Sequence, residues 1–122
     1  MTAAINTVDK DEIERFSRIA DEWWDPHGKF APLHRIGPLR VQYIKDQIAA
    51  HTPTIRLSLV DIGCGGGLIS EPMAKLGMAV TGIDASEKNI SVAKLHAERS
   101  GLVIDYRNTT AEELVAANAQ YD

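Results

Sequence analysis

The sequence holds a single cysteine, Cys64, in 122 residues, which excludes an internal disulfide framework. It has no run of Lys or Arg, and its formal net charge is −4. The basic face that sequence-independent nucleic-acid binding needs is therefore missing, and nucleic acid is excluded as a partner. No apolar stretch approaches the roughly 18 residues of a membrane span. The first arginine is Arg15, and Met1 to Glu12 is polar and acidic, so this segment is neither a secretory signal nor an Arg-rich transit peptide. Internal repeats and low-complexity tracts are also lacking. Together these absences predict a reducing, cytoplasmic compartment. The rest is ordinary for a globular protein, with 44% apolar and 25% charged residues, enough chain for one small domain.

Two regions follow from the patterning. Residues 1–55 are expected to form a helical cap region, and residues 56–122 alternate strand and helix signals. Asp9 and Glu12 are placed as a capping-box pair. Ile13, Phe16, Ile19, Ala20, Trp23 and Trp24 then recur at helical spacing. Asp25-Pro26-His27-Gly28 stops that helix, residues 29–37 read as a loop, and Pro38 opens a second helix running to about Ala50. His51-Thr52-Pro53-Thr54 reads as a linker. Strands are expected over 57–62, 79–84 and roughly 103–107. Each is followed by a helix: from Leu68 to Leu76 with Pro72 confined to its first turn, from Glu87 to about Arg99 with Ser86 as cap, and from Thr110 to about Asn118. This alternation means a parallel sheet with right-handed crossovers, an α/β Rossmann-like fold.

The chemistry concentrates at the end of the first strand, in Val60-Asp61-Ile62-Gly63-Cys64-Gly65-Gly66-Gly67. Four glycines in five positions let a ligand approach the backbone, and the N–H groups of the helix that follows face the same way. A dinucleotide fingerprint counted from Gly63 and Gly65 needs Gly or Ala at position 68, where Leu68 stands. The spacing is G-x-G-x-G instead, with Asp61 two residues before it, and this resembles the S-adenosylmethionine loop of class I methyltransferases. A carboxylate at Asp61 suits a ligand bearing an ammonium group and would repel a pyrophosphate. Asp84 closes the second strand 21 residues after Gly63 (84 − 63). Parallel neighbours put their C-terminal ends side by side, so Asp84 should face the glycine turn and can accept hydrogen bonds from ribose hydroxyls. Its other reading is a turn aspartate before Ser86. In class I methyltransferases the loop after the third strand, here Asn108-Thr109-Thr110-Ala111-Glu112, covers the adenine. Thr110 departs from the acid that many members carry, which leaves a backbone contact from Ala111 and a capping role for Thr110.

The N-terminal region narrows the resemblance. Trp23-Trp24-Asp25, Gly28, Phe30, Pro32-Leu33-His34-Arg35-Ile36, Pro38-Leu39-Arg40 and Val92-Ala93-Lys94-Leu95-His96-Ala97 resemble the ubiquinone-biosynthesis O-methyltransferases from Ile13 onward. Gly37 departs from the asparagine usual there. The resemblance implies methylation of phenolic hydroxyls on polyprenylated rings, with S-adenosyl-L-methionine as cofactor. It also implies that Arg40, Gly63 and Asp84 touch that cofactor, Arg40 by pairing with the methionine carboxylate. The cofactor set is thus Arg40, Asp61, Gly63, Gly65, Asp84 and Ala111. Trp23 and Trp24 read as helix-face core residues or as a lid, His34 as a hydrogen-bonding loop residue, and Cys64 as a small filler.

No catalytic residue and no metal ligand is assigned. Methyl transfer needs alignment and loss of the acceptor proton, and family members keep their acceptor-side residues after the fourth strand. The family sheet order is 3-2-1-4-5-7-6, so three strands give a partial fold, expected to be inactive alone. The first strand is left as an open edge prone to self-association. A polyprenyl substrate also implies peripheral membrane contact. Three other readings stay open: a nicotinamide oxidoreductase, which Leu68 opposes; a non-catalytic binding module; and a methyltransferase with another small-molecule acceptor.

Overall fold

A computed structural model describes residues 2–54 and 56–122, and side chains from Lys10 onward. The elements run α1 (Thr2–Trp24), α2 (Ala31–His51), β1 (Ser58–Ile62), α3 (Ser70–Lys75), β2 (Ala79–Asp84), α4 (Glu87–Arg99), β3 (Asp105–Asn108) and α5 (Ala111–Ala116). The strands form one parallel sheet in the order β1-β2-β3. This is the α/β arrangement the alternation predicted. The register pairs Ile62 with Ile83 and Asp84 with Asn108, so all three strands end at the same rim. β2 lies in the middle and is buried from Val80 to Ile83, as a strand covered on both faces must be.

Two apolar clusters make the core. One joins Cys64, Ile90, Ala93, Ala97 and Tyr106, and the other joins Met73, Met78 and Val80 with Ile44, Ile48 and Leu59 packed against them. Gly82 is required here. A Cβ at that position would stand 2.5 Å from the Tyr106 ring, which lies across β2. α1 packs along α4, where Arg99 reaches Asp21 at 2.8 Å. Both partners are exposed, so this pair contributes little.

Several boundaries differ from the sequence expectations. α1 begins at Thr2, ahead of the expected Asp9 cap. The Asp9 side chain and the boundary residue at position 55 lie outside the described residues. α2 begins at Ala31, so residues 31–37 are helix and Pro38 lies inside it. Pro32 is the starter proline, in the first turn where no N–H is needed. Gly37 eases Pro38, because the residue before a proline is crowded mainly through its Cβ. β3 begins at Asp105 rather than Val103, and Val103 is 96% exposed in the connection. α3 keeps Pro72 in its first turn as expected, Ser86 caps α4 by accepting the Asn89 N–H at 3.2 Å, and Gly77 (φ 102) and Gly101 (φ 71) end their helices. Along the β1 edge, Asp122 donates its N–H to the Ser58 carbonyl at 3.0 Å and accepts the Ser58 N–H at 2.8 Å. Among the described residues no helix is long and apolar enough to cross a membrane.

Candidate functional site

The turn after β1 is built by glycine geometry. Gly63, Gly65 and Gly67 have φ of 75°, 55° and 94°, a region that side chains disfavour. The Gly63 and Cys64 N–H groups both donate to the Ile83 carbonyl, at 2.8 and 2.9 Å, which ties the turn to the end of β2. Asp84 completes the tie. Its Oδ2 accepts the Gly65 N–H at 3.0 Å and its Oδ1 accepts the Ser86 N–H at 2.8 Å. Asp84 therefore faces the glycine turn, as the parallel register requires, and also acts as the turn aspartate of the alternative reading.

Two cavities meet at this turn. One, of about 200 Å³, is lined by Trp23, Leu33, Arg40, Asp61, Ile62, Gly63, Cys64, Gly65, Leu68 and Ile69. The other, of about 260 Å³, includes Ile62, Gly63, Asp84, Thr110 and Ala111. Ile62 and Gly63 line both. All six residues picked from the sequence thus line these two adjoining cavities: Arg40, Asp61, Gly63 and Gly65 the first, Gly63, Asp84 and Ala111 the second. A Cβ on Gly63 would meet nothing within 4 Å, so the turn is open to a visitor at that point.

The charges are held in place. Asp61 accepts the Ser70 hydroxyl at 2.7 Å, and burial raises its carboxyl above the ordinary carboxylate range. The Ser70 bond and the Arg40 guanidinium offset part of that rise. Thr110 accepts the Glu113 N–H at 3.2 Å and caps α5, its expected role. α3 has only six residues, so the cradle rests on the turn itself rather than on a long helix behind it.

The match to known proteins follows this geometry. Residues 60–122, from the third residue of β1 onward, match the family model described as a methyltransferase domain. The chain belongs to the methyltransferase-domain family. It is 56% identical over 128 residues to the ubiquinone biosynthesis O-methyltransferase of Cereibacter sphaeroides, covering 98% of this chain and 52% of that protein. It is also 56% identical over 130 residues to the same-named protein of Ruegeria pomeroyi, covering 100% of this chain and 52% of that one. The chain spans about half the length of these curated relatives. Among solved structures it resembles the bifunctional kinase-methyltransferase WbdD, with a TM-score of 0.58, 28% identity, and coverage of 80% of this chain and 21% of that one.

Within this methyltransferase domain, Trp23 lies over the glycine turn and lines the cavity beside it, the placement of the lid reading, whereas Trp24 lines neither cavity. Trp23 stacks on Phe30, with ring centroids 4.0 Å apart, and rests on the glycine turn, where a Cβ on Gly65 or Gly66 would come within 2.7 Å of its ring. Trp24 donates its Nε1–H to the Gly66 carbonyl at 3.1 Å. His34 does hydrogen-bond, with Nε2 2.8 Å from the Trp23 carbonyl, but from within α2. Sequence reasoning missed Ser70, Glu71 and His96. A polar pair in the first turn after a glycine loop, Ser70-Glu71, was the available signal.

Cys64 is buried, and burial, reinforced by the nearby Asp61 and Asp84 charges, pushes its thiol from 9.0 up to about 12. Burial and the raised value leave little accessible thiolate, so labelling by a disulfide reagent at pH 8 should run at least about tenfold slower than for a free thiol. Denaturant should restore the ordinary rate. Rapid labelling of the folded protein would contradict the filler role.

Proposed function

We propose that this domain supplies the cofactor cradle of an S-adenosylmethionine-dependent O-methyltransferase that acts on phenolic polyprenylated intermediates of ubiquinone biosynthesis. The observation that carries the reading is the convergence of Arg40, Asp61, Gly63, Gly65, Asp84 and Ala111 on two cavities joined at Gly63. The name shared by the relatives supports the acceptor class. In this reading residues 1–55 form a cap on the cofactor-binding unit of residues 56–122.

The donor set fits the group. A cationic Arg40 and an anionic Asp61 on one wall suit a zwitterionic amino-acid end, Arg40 taking the carboxylate and Asp61 the ammonium. The Asp84 carboxylate, already aimed at the turn, has capacity to accept ribose hydroxyls beyond its two backbone bonds. The Ala111 backbone lies at the far end, where an adenine would rest. When bound, the cofactor would supply an electrophilic methyl group carried on its sulfonium sulfur. Trp23, Leu33 and Leu68 line the same cavity and would give the amino-acid end an apolar border. The chain's own contribution is orientation, the larger share of what methyl transfer needs.

The domain acts in the cytoplasm in this reading. Ile36, Leu39 and Tyr43 on α2, exposed by 49%, 71% and 66%, give it an apolar face for a membrane that holds the acceptor. The β1 edge beyond its Asp122 contact offers a route to self-association, read as a concentration-dependent sedimentation coefficient.

Asp61 gives a two-sided prediction. An acid whose folded-state value is raised keeps its proton more readily in the fold. Stability therefore falls as pH rises from 3.8 through the raised value, and stays lower above it. Asp61→Asn keeps the Ser70 bond and removes the charge. It should raise the melting midpoint at pH 7 by a few degrees, flatten that acid-range dependence, and weaken cofactor binding about tenfold. A lower midpoint with unchanged binding would contradict both roles.

The direct test is calorimetric titration with S-adenosylhomocysteine and, separately, with NADH. The first should bind and the second should not. Binding of NADH alone would replace the reading with nicotinamide chemistry. Turnover of a polyprenyl catechol by the full-length protein, read as a methyl mass gain, tests the acceptor. Cofactor binding without that gain on any phenol would overturn the acceptor class.

A further inference from the structure

A turn with three glycines at positive φ is soft on its own, because glycine has the most conformational freedom to lose. A cradle that must meet a ligand in one shape has to be fixed by something outside it. The Asp84 side chain fixes one edge, through the Gly65 N–H. The carbonyls on the following residues are held from elsewhere.

Gly66 and Gly67 each turn a carbonyl toward a neighbour. The Gly66 carbonyl accepts the Trp24 indole N–H at 3.1 Å, and the Gly67 carbonyl accepts the Glu71 backbone N–H at 3.0 Å. These two neighbours are linked through a third residue. The Trp24 ring lies flat on the His96 imidazole, with centroids 4.0 Å apart and planes 2° from parallel. His96 Nδ1 in turn stands 2.5 Å from Glu71 Oε2. Glu71 is 1% exposed, and its other oxygen, Oε1, has no partner among the described residues. A carboxylate buried this deeply is costly, and apolar side chains of similar volume would pack the same space at less cost. Packing alone therefore does not account for it. The residues it reaches are His96, which carries the Trp24 ring, and Gly67, the last glycine of the turn.

We infer that Trp24, His96 and Glu71 form a positioning unit that sets the glycine turn, so that cofactor affinity depends on three side chains lining neither cavity of the site. The inference rests on the reading of that turn as the cofactor cradle. It makes the N-terminal helix part of the binding machinery. The Trp24 indole, 42 residues before Gly66, holds the turn from α1, while the stack keeps the indole in the plane that its bond requires.

Nitrogen-15 correlation spectra test this in the full chain. There are two tryptophans, so two indole cross-peaks are expected, and that of Trp24 is identified by its through-space contact with the His96 ring. Adding S-adenosylhomocysteine should shift the Trp24 cross-peak, although Trp24 lines neither cavity. Trp24→Phe keeps a ring on His96 and removes the N–H. It should weaken S-adenosylhomocysteine binding about tenfold and speed amide hydrogen exchange at Gly65, Gly66 and Gly67. Glu71→Leu, close in volume, removes the acceptor that His96 meets, and should weaken S-adenosylhomocysteine binding several-fold and speed exchange at the same glycines. An unmoved Trp24 cross-peak on saturation overturns the inference without any variant. So does Trp24→Phe with unchanged affinity and unchanged exchange. If the unaltered chain binds no S-adenosylhomocysteine, the cofactor reading fails instead. Faster glycine exchange in Trp24→Phe then still supports the positioning unit, and unchanged exchange overturns it.

Discussion

Replacing Gly66 with alanine should lower the melting midpoint by about 10 °C. A Cβ there would stand 2.7 Å from two atoms of the Trp23 indole and 3.0 Å from its Cβ, so the obstacle includes the stem of the side chain and not only a movable tip. Overpacking of this kind costs about 2.5 kcal/mol, and a domain of this size loses roughly 4 °C for each. Gly66 is not among the glycines at positive φ, so the loss isolates the clash with Trp23 from backbone strain. Gly63→Ala is the matched control. It meets open space, carries φ 75°, and should cost only about 1 kcal/mol of backbone strain while placing a methyl in the cavity. Shortening Trp23 to alanine should relieve the clash, so the double variant Trp23→Ala/Gly66→Ala should lose less than its two singles together. Simple additivity would mean that the indole does not rest on the turn.

Asp84→Asn should weaken S-adenosylhomocysteine binding on the order of 100-fold. The carboxylate accepts two backbone N–H groups, one from Gly65 and one from Ser86. An amide offers one oxygen and one NH₂, so one of those donors must face another donor. A hydrogen bond to a charged group is worth about 1.5–3 kcal/mol, and weakening the grip on the ribose while disturbing the turn costs more than either change alone. The melting midpoint should fall too, but the fold should survive, because the Asn108 side chain still donates to the Asp84 carbonyl at 3.0 Å and the strand register is untouched. Circular dichroism separates the two effects. Native spectra with binding abolished support a role at the site, whereas native spectra with binding kept would leave Asp84 a turn residue only.

What was legible in the sequence depended on contacts close along the chain or set by strand order. The Gly63–Gly67 turn, Asp61 and the capping of α4 and α5 are local, and Asp84 follows from parallel register alone. Arg40 was legible only through family likeness, since nothing near it in sequence points to the cavity it shares with Asp61. The start of α2 was missed because Pro38 signals a helix start more strongly than Pro32 does, although Pro32 is the one in the first turn. β3 was placed early because Val103 is apolar, yet its side chain is in solvent while Leu102 and Ile104 turn toward the core. The Trp24–His96–Glu71 unit was illegible for a different reason. Its members lie 25 or more residues apart on three helices, and only tertiary packing brings them together.

A sulfonium nucleoside is expected to lie across the rim formed by the β1 turn and the end of β2. The most direct measurement is a residue-by-residue map of amide shifts as S-adenosylhomocysteine is added. The expected map lights up Gly63, Gly65, Asp84 and Ala111 together and leaves the outer face between α1 and α4, around Arg15 and Lys88, silent. Shifts confined to that outer face, or none at saturating ligand, would contradict it.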